Sequence, residues 1–390
     1  MEPVSPTRKR NESIDAIRGF SLFGILLVNL LSFHSPHFMY GGLRDFYSNG
    51  FDAITLGFID IFAQASFYPL FSMLFGIGIY MMYERLHAQG NNAMTVLKRR
   101  MLILASLGLI HGLFIWYGDI LLTYGVIGLL SLLFIKKPSL SLLKWSLSLL
   151  LIGATILVLI SFPVREQLEQ MSVSEAGIQV SYDHYTGNLQ DVMKQNLADW
   201  KYSNDPFMWV FSLFNILPLF LLGMFLQKRG WLQSPDDHSS SIKQWLMFSF
   251  LLFITIKVSP YLFGNPLWFE SVQDTIGGSA LSVVYLLTAL LFFNSRNAQM
   301  IKRILSNVGR LSLSNYLMQS LFSIFIFYGI GLNLYGKLHA FTLVIIALVI
   351  YSFQLLFSSW YIKRFHYGPF EWLYRSLTYG QRQRFIKKGD

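Results

Sequence analysis

The sequence contains no cysteine, so it offers no disulfide framework, no thiolate metal ligand and no cysteine nucleophile. Charge is scarce as well. Asp, Glu, Lys and Arg make up 13% of the 390 residues, whereas soluble domains carry about 25%. There is no HExxH or comparable zinc spacing, no Walker or GxGxxG phosphate loop, and no repeat of fixed period. Nothing therefore indicates a nucleotide-hydrolysing enzyme, and no metal site is expected. Apolar residues, by contrast, form 53% of the chain, with a mean hydropathy of +0.45. Apolar runs of the roughly 20 residues needed to cross a bilayer recur along it. In lipid only helices and closed barrels satisfy their own backbone, and runs this long and continuous exclude a barrel. The expected fold class is all-α, a polytopic transmembrane helical bundle with about ten spans.

The spans are expected at residues 16–33, 59–81, 101–117, 120–135, 140–162, 208–226, 245–261, 278–293, 311–330 and 341–360. The basic N-terminus leads into an apolar stretch as a signal peptide does, but no small-residue cleavage site follows Phe33, so a retained first helix is expected. With that terminus inside, 25 of the 31 Lys and Arg residues fall on the inner side, among them Arg8, Lys9 and Arg10. Only Arg44, Arg165, Lys194, Lys201, Lys257 and Lys337 remain outside. The net charge of +10 thus reads as topology rather than nucleic-acid binding, with both termini cytoplasmic. The longest outer loop, 163–206, is acidic and too small to be a domain, with a short amphipathic helix expected near 189–200. A Ser-rich inner stretch, 233–243, suggests two membrane halves, 1–232 and 233–390. After Trp360, aromatic and basic residues interleave, which suits the headgroup layer of the inner surface.

Ionisable and polar side chains inside spans are costly, so each is a functional candidate. On the outer side the first helix carries Asn29 and leads into His34 and His37. The third carries His111, and the short turn at Gly118 places Asp119 at the outer end of both the third and fourth helices, the fourth carrying Tyr124. A histidine paired with an amide or carboxylate can act as general base. Plainer roles compete, since an interfacial His is often only solvated, His111 could bond a backbone carbonyl, and Asp119 could cap the fourth helix. At the inner mouth Asp15 and Arg18 share one helix face, with Arg99 and Arg100 nearby. Arginine's planar fork suits phosphates, although inner arginines also serve as topological anchors. Asn315 and Gln319, four residues apart, could line a cavity or only join helices.

The stretches RNESIDAIRGFSLFGILLVNL, SFYPLFSMLFGIGIYM, IHGLFIWYGDILLTYGVIGLL, GRLSLSNYLMQSLF and GPFEWLYRSLTYG resemble the YeiB-like bacterial membrane proteins of domain-of-unknown-function family 418, from about Ser13 to Tyr379. The N-terminal part is similar to a wider group of transmembrane acyltransferases that includes heparan-α-glucosaminide N-acetyltransferase. The resemblance rests on Asp15, Arg18-Gly19 and Asn29. It implies that an acetyl group passes from cytosolic acetyl-CoA to an acceptor across the membrane, with Asn29 holding a catalytic His. Tyr40 stands at the matching distance for that His, so His34 or His37 would have to substitute.

The leading expectation is a membrane acyltransferase. Asp15, Arg18, Arg99 and Arg100 would shape the mouth for an acyl-CoA-type donor, His34 with Asn29 would activate the acceptor, and His111 with Asp119 would complete the outer pocket. The alternative is a small-molecule or lipid transporter, with substrate held by Tyr124, Asn315 and Gln319, and a non-catalytic scaffold is a third reading. Expected partners are membrane lipids and a small-molecule, lipid or sugar acceptor, not nucleic acid, and a homo-oligomer is compatible with the sequence.

Overall fold

A computed structural model describes residues 11–170 and 173–387. Arg8, Lys9, Arg10 and Lys388 of the charge argument lie outside the described residues. The first helix, α1 (Glu12–His34), begins where the Asn11 side chain accepts hydrogen bonds from the Ser13 and Ile14 amides, groups the helix itself leaves unpaired. Its 23 residues rise about 35 Å, enough to cross a bilayer. The next apolar stretch is broken into α2 (Gly50–Phe62) and α3 (Phe67–Ala88) rather than forming the single span expected at 59–81. The break falls at Ala63–Ser66, with Ala65 in the left-handed region at φ 54°.

The chain continues through α4 (Ala93–Phe114), α5 (Leu121–Ser131) and α6 (Ser139–Ser161). The loop that follows carries α7 (Glu175–Tyr185) and α8 (Leu189–Ser203), the latter opened by a reciprocal cap between Asn188 and Asp191. Next come α9 (Pro206–Lys228), α10 (Ser239–Phe253), α11 (Ser279–Asn294), α12 (Gln299–Arg310), α13 (Ser312–Phe327), α14 (Ala340–Arg364) and the tail helix α15 (Pro369–Tyr379). The fold is an all-α bundle. Seven helical segments among the described residues are long and apolar enough to cross a membrane, and the shorter Leu121–Phe134 and Ser312–Phe327 are apolar too.

Burial sorts these segments into layers. Two-thirds of the apolar window is buried in α1 and in α9, but 17% in Ser139–Leu168 and 22% in Asp236–Phe263, so the first pair is central and the second pair faces lipid. One end of the bundle is basic. There Asn11 donates to the Leu232 carbonyl, Arg85 to the Tyr379 hydroxyl, and Arg100 lies over the Tyr374 ring, which brings the start of α1 and the tail helix to the same face. The distal end is roofed by α7 and α8, and Asn196 caps the C-terminus of α4 by donating to the Gly112 and Leu113 carbonyls. α1 packs against α12, α13 and α14, so helices from both parts of the sequence share one core.

The tightest crossing joins α1 to α12 through two glycines. A Cβ on Gly309 would lie 1.8 Å from the Asp15 carbonyl oxygen, and one on Gly19 would lie 2.1 Å from that of Leu305. Both obstacles are backbone, so the helices would have to separate. Gly309→Ala is expected to lower stability by about 1–3 kcal/mol or more, seen as earlier thermal unfolding in detergent micelles. An unchanged melting temperature would show that this contact does not hold the core.

Candidate functional site

A cavity of about 370 Å³ runs from the basic face towards the distal roof, within the roughly 300–1,000 Å³ usual for ligand sites. Its mouth is lined by Arg18, Arg100, Arg310 and Arg375 together with Tyr367, Glu371 and Tyr374. Arg18 reaches the wall through an ion pair of 3.2 Å to Asp15, one helical turn earlier, and donates to the Leu74 carbonyl at 3.5 Å. The tail is fastened to the mouth because the buried Glu371 carboxylate accepts from both the amide and the hydroxyl of Ser314. Burial pushes that carboxyl above its usual range, and the Ser314 hydrogen bonds pull it back. Arg375 lies over the Tyr367 ring at 4.7 Å and Arg100 over the Tyr374 ring at 4.8 Å, so aromatic faces position these two cations at the mouth.

The middle of the cavity is aromatic, with Phe67, Tyr68, Phe71 and Phe75 from α3 facing Tyr124 of α5 and Tyr316 of α13. Tyr124 shares a 2.6 Å hydrogen bond with Ser72 and donates to the Tyr68 carbonyl. The helix break at Ala63–Ser66 forms part of this wall, and the buried Gln64 Oε1 has no hydrogen-bond partner there. Irregular backbone at membrane depth is tolerated where it lines a cavity rather than lipid. At the distal end stand Asn29, Phe38 and Gly118. The Asn29 amide makes no hydrogen bond to another described residue.

Of the residues singled out from sequence, Asn29, Arg18, Arg100 and Tyr124 come together along this cavity. Asp15 sits behind Arg18, and Arg99 faces the end of the tail near Gly380 rather than the cavity wall. His111 and Asp119 do not line the cavity either. Asp119 bonds His111 Nδ1 at 2.8 Å and accepts from the Leu122 amide, while His111 Nε2 meets the Ser320 hydroxyl, so the pair fastens the α4–α5 hairpin to α13. Asn315 and Gln319 belong to a helix-joining network with Gln354 and Ser358. His34 is wholly buried, its Nδ1 bonded to the Tyr47 hydroxyl and its Nε2 accepting from the Leu338 amide. His37 is not in the cavity wall either; its ring stacks on that of Phe46 at 4.4 Å, and its neighbour Phe38 lines the distal end. The His37 Nδ1 meets the Gly41 carbonyl, which accepts, so Nδ1 carries the proton and Nε2 holds the lone pair.

The expected position for a catalytic His is filled by Tyr40, which donates to Asp199 of α8 at 2.6 Å, as Tyr185 does at 2.7 Å. Burial raises the Asp199 carboxyl, while the bonds from Tyr40, Tyr185 and Gln195 and the nearby His184 oppose the shift. A raised value means that the folded roof keeps this proton to higher pH than the unfolded chain does. The stabilisation is complete below the unfolded value and is lost as pH rises through the folded one. Amide exchange across 189–203 is therefore expected to quicken beyond the intrinsic rate as pH rises through that folded value, and Asp199→Asn should flatten that dependence. Equal pH profiles in the two proteins would remove Asp199 from this role.

Whole-chain likeness now accompanies the geometry. The chain is 32% identical over its full length to the "Uncharacterized protein YxaH" of Bacillus subtilis, covering 99% of that protein. It is 28% identical over 95% of its length to the "Uncharacterized protein YeiB" of Escherichia coli, covering 96% of that protein. Residues 226–381 match the family described as "Protein of unknown function (DUF418)". The chain belongs to the DUF418 family. The family-matched segment supplies Tyr316 and the mouth residues Arg310, Tyr367, Glu371, Tyr374 and Arg375, and the preceding sequence supplies Arg18, Arg100, Asn29 and the rest of the aromatic wall, so the cavity of this DUF418 protein forms only where the two parts meet.

Two groups of functional interest escaped the sequence reading. Lys257 was placed outside with the loop charges, but it is 1% exposed and ion-paired with Asp60 and Asp274 inside the bundle. The rule that charges within spans are functional candidates could have found it, since Asp60 and Lys257 both fell inside expected spans. Glu371 and Arg375 gave no such signal, because an interfacial tail is normally charged.

Proposed function

We propose that this DUF418 protein is a membrane acyltransferase that binds a CoA-type acyl donor from the basic, cytoplasmic face and passes the acyl group to an acceptor from the distal face of the bacterial plasma membrane. The observation that carries the reading is the cavity that joins four arginines at one face to an unpaired amide, Asn29, at the other. Phosphates at the mouth would meet guanidinium forks, and the pantetheine arm that joins them to the thioester would lie along Phe67, Phe71 and Phe75. The thioester carbonyl would reach Asn29, whose N–H donates to the oxygen as negative charge develops there. The acceptor hydroxyl or amine attacks the carbonyl carbon, its proton passes to His37 Nε2, and the thiolate leaves and is protonated as free CoA. Phe38, next to His37, lines the same distal end.

The test is to add labelled palmitoyl-CoA to the purified protein in lipid nanodiscs and follow both binding and transfer to acceptor. Arg100 is a cleaner mouth arginine to replace than Arg18, whose loss would also remove its ion pair with the buried Asp15. Arg100→Gln is expected to weaken palmitoyl-CoA binding about 10- to 100-fold, the effect of losing one charge-assisted contact. If neither protein binds a CoA compound, the reading fails. The broken α2–α3 helix favours a transporter as the second reading, since interrupted spans recur at transporter substrate sites. Uptake of a lipid or small molecule into vesicles without acyl transfer would select it.

A further inference from the structure

Away from the cavity mouth, a second polar cluster lies inside the bundle. Lys257 is 1% exposed and sits between Asp60 of α2, at 3.3 Å, and Asp274, to which it is also ion-paired. Tyr261 donates to the other oxygen of Asp60. Glu270 and Arg44, 3.6 Å apart and each about two-fifths exposed, form their own pair beside the cluster. The inner three groups therefore carry one cation against two carboxylates. A net charge held in such surroundings is costly, and one bound proton cancels it.

The backbone around this triad is as unusual as its charge. Lys257 and Asp274 stand on two π-helical turns, Ile254–Val258 and Gln273–Gly278, that face each other. Such turns widen a helix and are frequent at functional positions. Gly277 and Gly278 then link the triad to the cavity. A Cβ on Gly277 would meet Lys257 at 2.7 Å, and one on Gly278 would lie 2.2 Å from the carbonyl oxygen of Ala65. Ala65 lines the cavity at the helix break, five residues after Asp60. Any shift of the Asp274 turn is thereby passed to the break through contacts that have no slack.

We propose that Asp60, Lys257 and Asp274 form a proton-binding site whose occupancy sets the geometry of the Ala63–Ser66 break and so couples protons to whatever fills the cavity. With the proton bound, the triad is neutral and the π-turns close on one another. When it leaves, the two carboxylates repel across Lys257, and the Gln273–Gly278 turn moves against Ala65. The proton belongs to the pair of carboxylates rather than to either residue, as expected for acids sharing one cation. The neighbours that bear on this titration are Lys257, Tyr261 on the 3₁₀ turn that follows it, Asp274, Glu270 and Gln273 on the facing segment, Asp60 on α2, Arg44 from the distal loop and Tyr68 of the cavity wall.

This inference is independent of acyl transfer and is tested without any ligand. Infrared difference spectra of the protein in nanodiscs, recorded between acidic and alkaline buffer, should show a protonated carboxyl band from the triad that disappears on the alkaline side, beside those of other carboxyls such as Asp199 and Glu371. The near-isosteric Asp60→Asn and Asp274→Asn proteins should each lack the triad band. In parallel, amide exchange in peptides covering the break, divided by the intrinsic rate at each pH, should rise about tenfold between the two buffers in the wild type, the size of ordinary coupling between sites, and stay level in both variants. A carboxyl difference spectrum that loses no band in either variant overturns the proton site. A signal that follows sodium concentration and not pH assigns the triad to a metal cation instead, and level exchange at the break in the wild type refutes the coupling.

Discussion

A His37→Ala protein is expected to lose acyl transfer by about 10²- to 10⁴-fold, the usual effect of removing a general base, with palmitoyl-CoA binding and thermal stability little changed. The expectation rests on one hydrogen bond. Because the Gly41 carbonyl can only accept, it fixes the proton on Nδ1 and leaves Nε2 as the basic nitrogen. Burial holds the His37 imidazole below the ordinary histidine range, and the Gly41 bond pulls part of the way back. The base form therefore persists to lower pH than in a free imidazole, and the acid limb of the transfer rate should lie on the acidic side of that range. His34→Ala should behave differently. With both ring nitrogens bonded and no exposure, its loss leaves the Tyr47 hydroxyl and the Leu338 amide without their partner. The expected result is a fall in stability of about 1–3 kcal/mol per unsatisfied group rather than a selective fall in rate. If His34→Ala kept its stability and lost transfer while His37→Ala kept both, the base would have been assigned to the wrong residue.

An Asn29→Ala protein is expected to transfer about 10²- to 10³-fold more slowly at saturating donor, because one pre-aimed hydrogen-bond donor to a developing oxyanion is worth that much. Its donor affinity should hardly move, since the amide sits at the far end of the cavity from the arginines. Asn29→Asp sharpens the comparison, because a carboxylate of the same shape can only accept and would repel the developing charge. It should be at least as slow as alanine. A rate effect that instead appeared wholly as weaker donor binding would make Asn29 a wall residue, and recovery of full activity by aspartate would rule out the donor role. Arg100→Gln has the opposite signature, weaker binding with little change in the rate of the bound complex, so the two ends of the cavity can be separated kinetically.

The polar residues that sequence singled out divided according to whether something else had already engaged them. Asn29 and Arg18 lie on the cavity-facing side of α1, and nothing in the local sequence distinguishes them from Asp15 or His34 on the same helix. What separates them is the partner across the bundle. The Leu338 amide arrives from a loop 304 residues away to take His34 Nε2, and Ser320 arrives from α13 to take His111. Asn315 and Gln319 share a helix face as expected, but that face meets Gln354 and Ser358 instead of the cavity.

The sequence by itself determined the membrane class, the helical fold and the clustering of basic residues at one face, because each follows from local quantities: the length of an apolar run, the backbone's need to satisfy itself in lipid, and the charge of short loops. The tertiary structure decided which polar groups are engaged and which are available, because that depends on long-range partners that no spacing along the chain encodes. It also decided the break at Ala63–Ser66. That stretch holds no proline or glycine that would stop a helix, and it is interrupted because Gly278 lets the Ala65 carbonyl approach and the cavity receives the freed backbone. Lys257 could likewise be buried only once Asp60 and Asp274, from two other segments, had come within ion-pair distance.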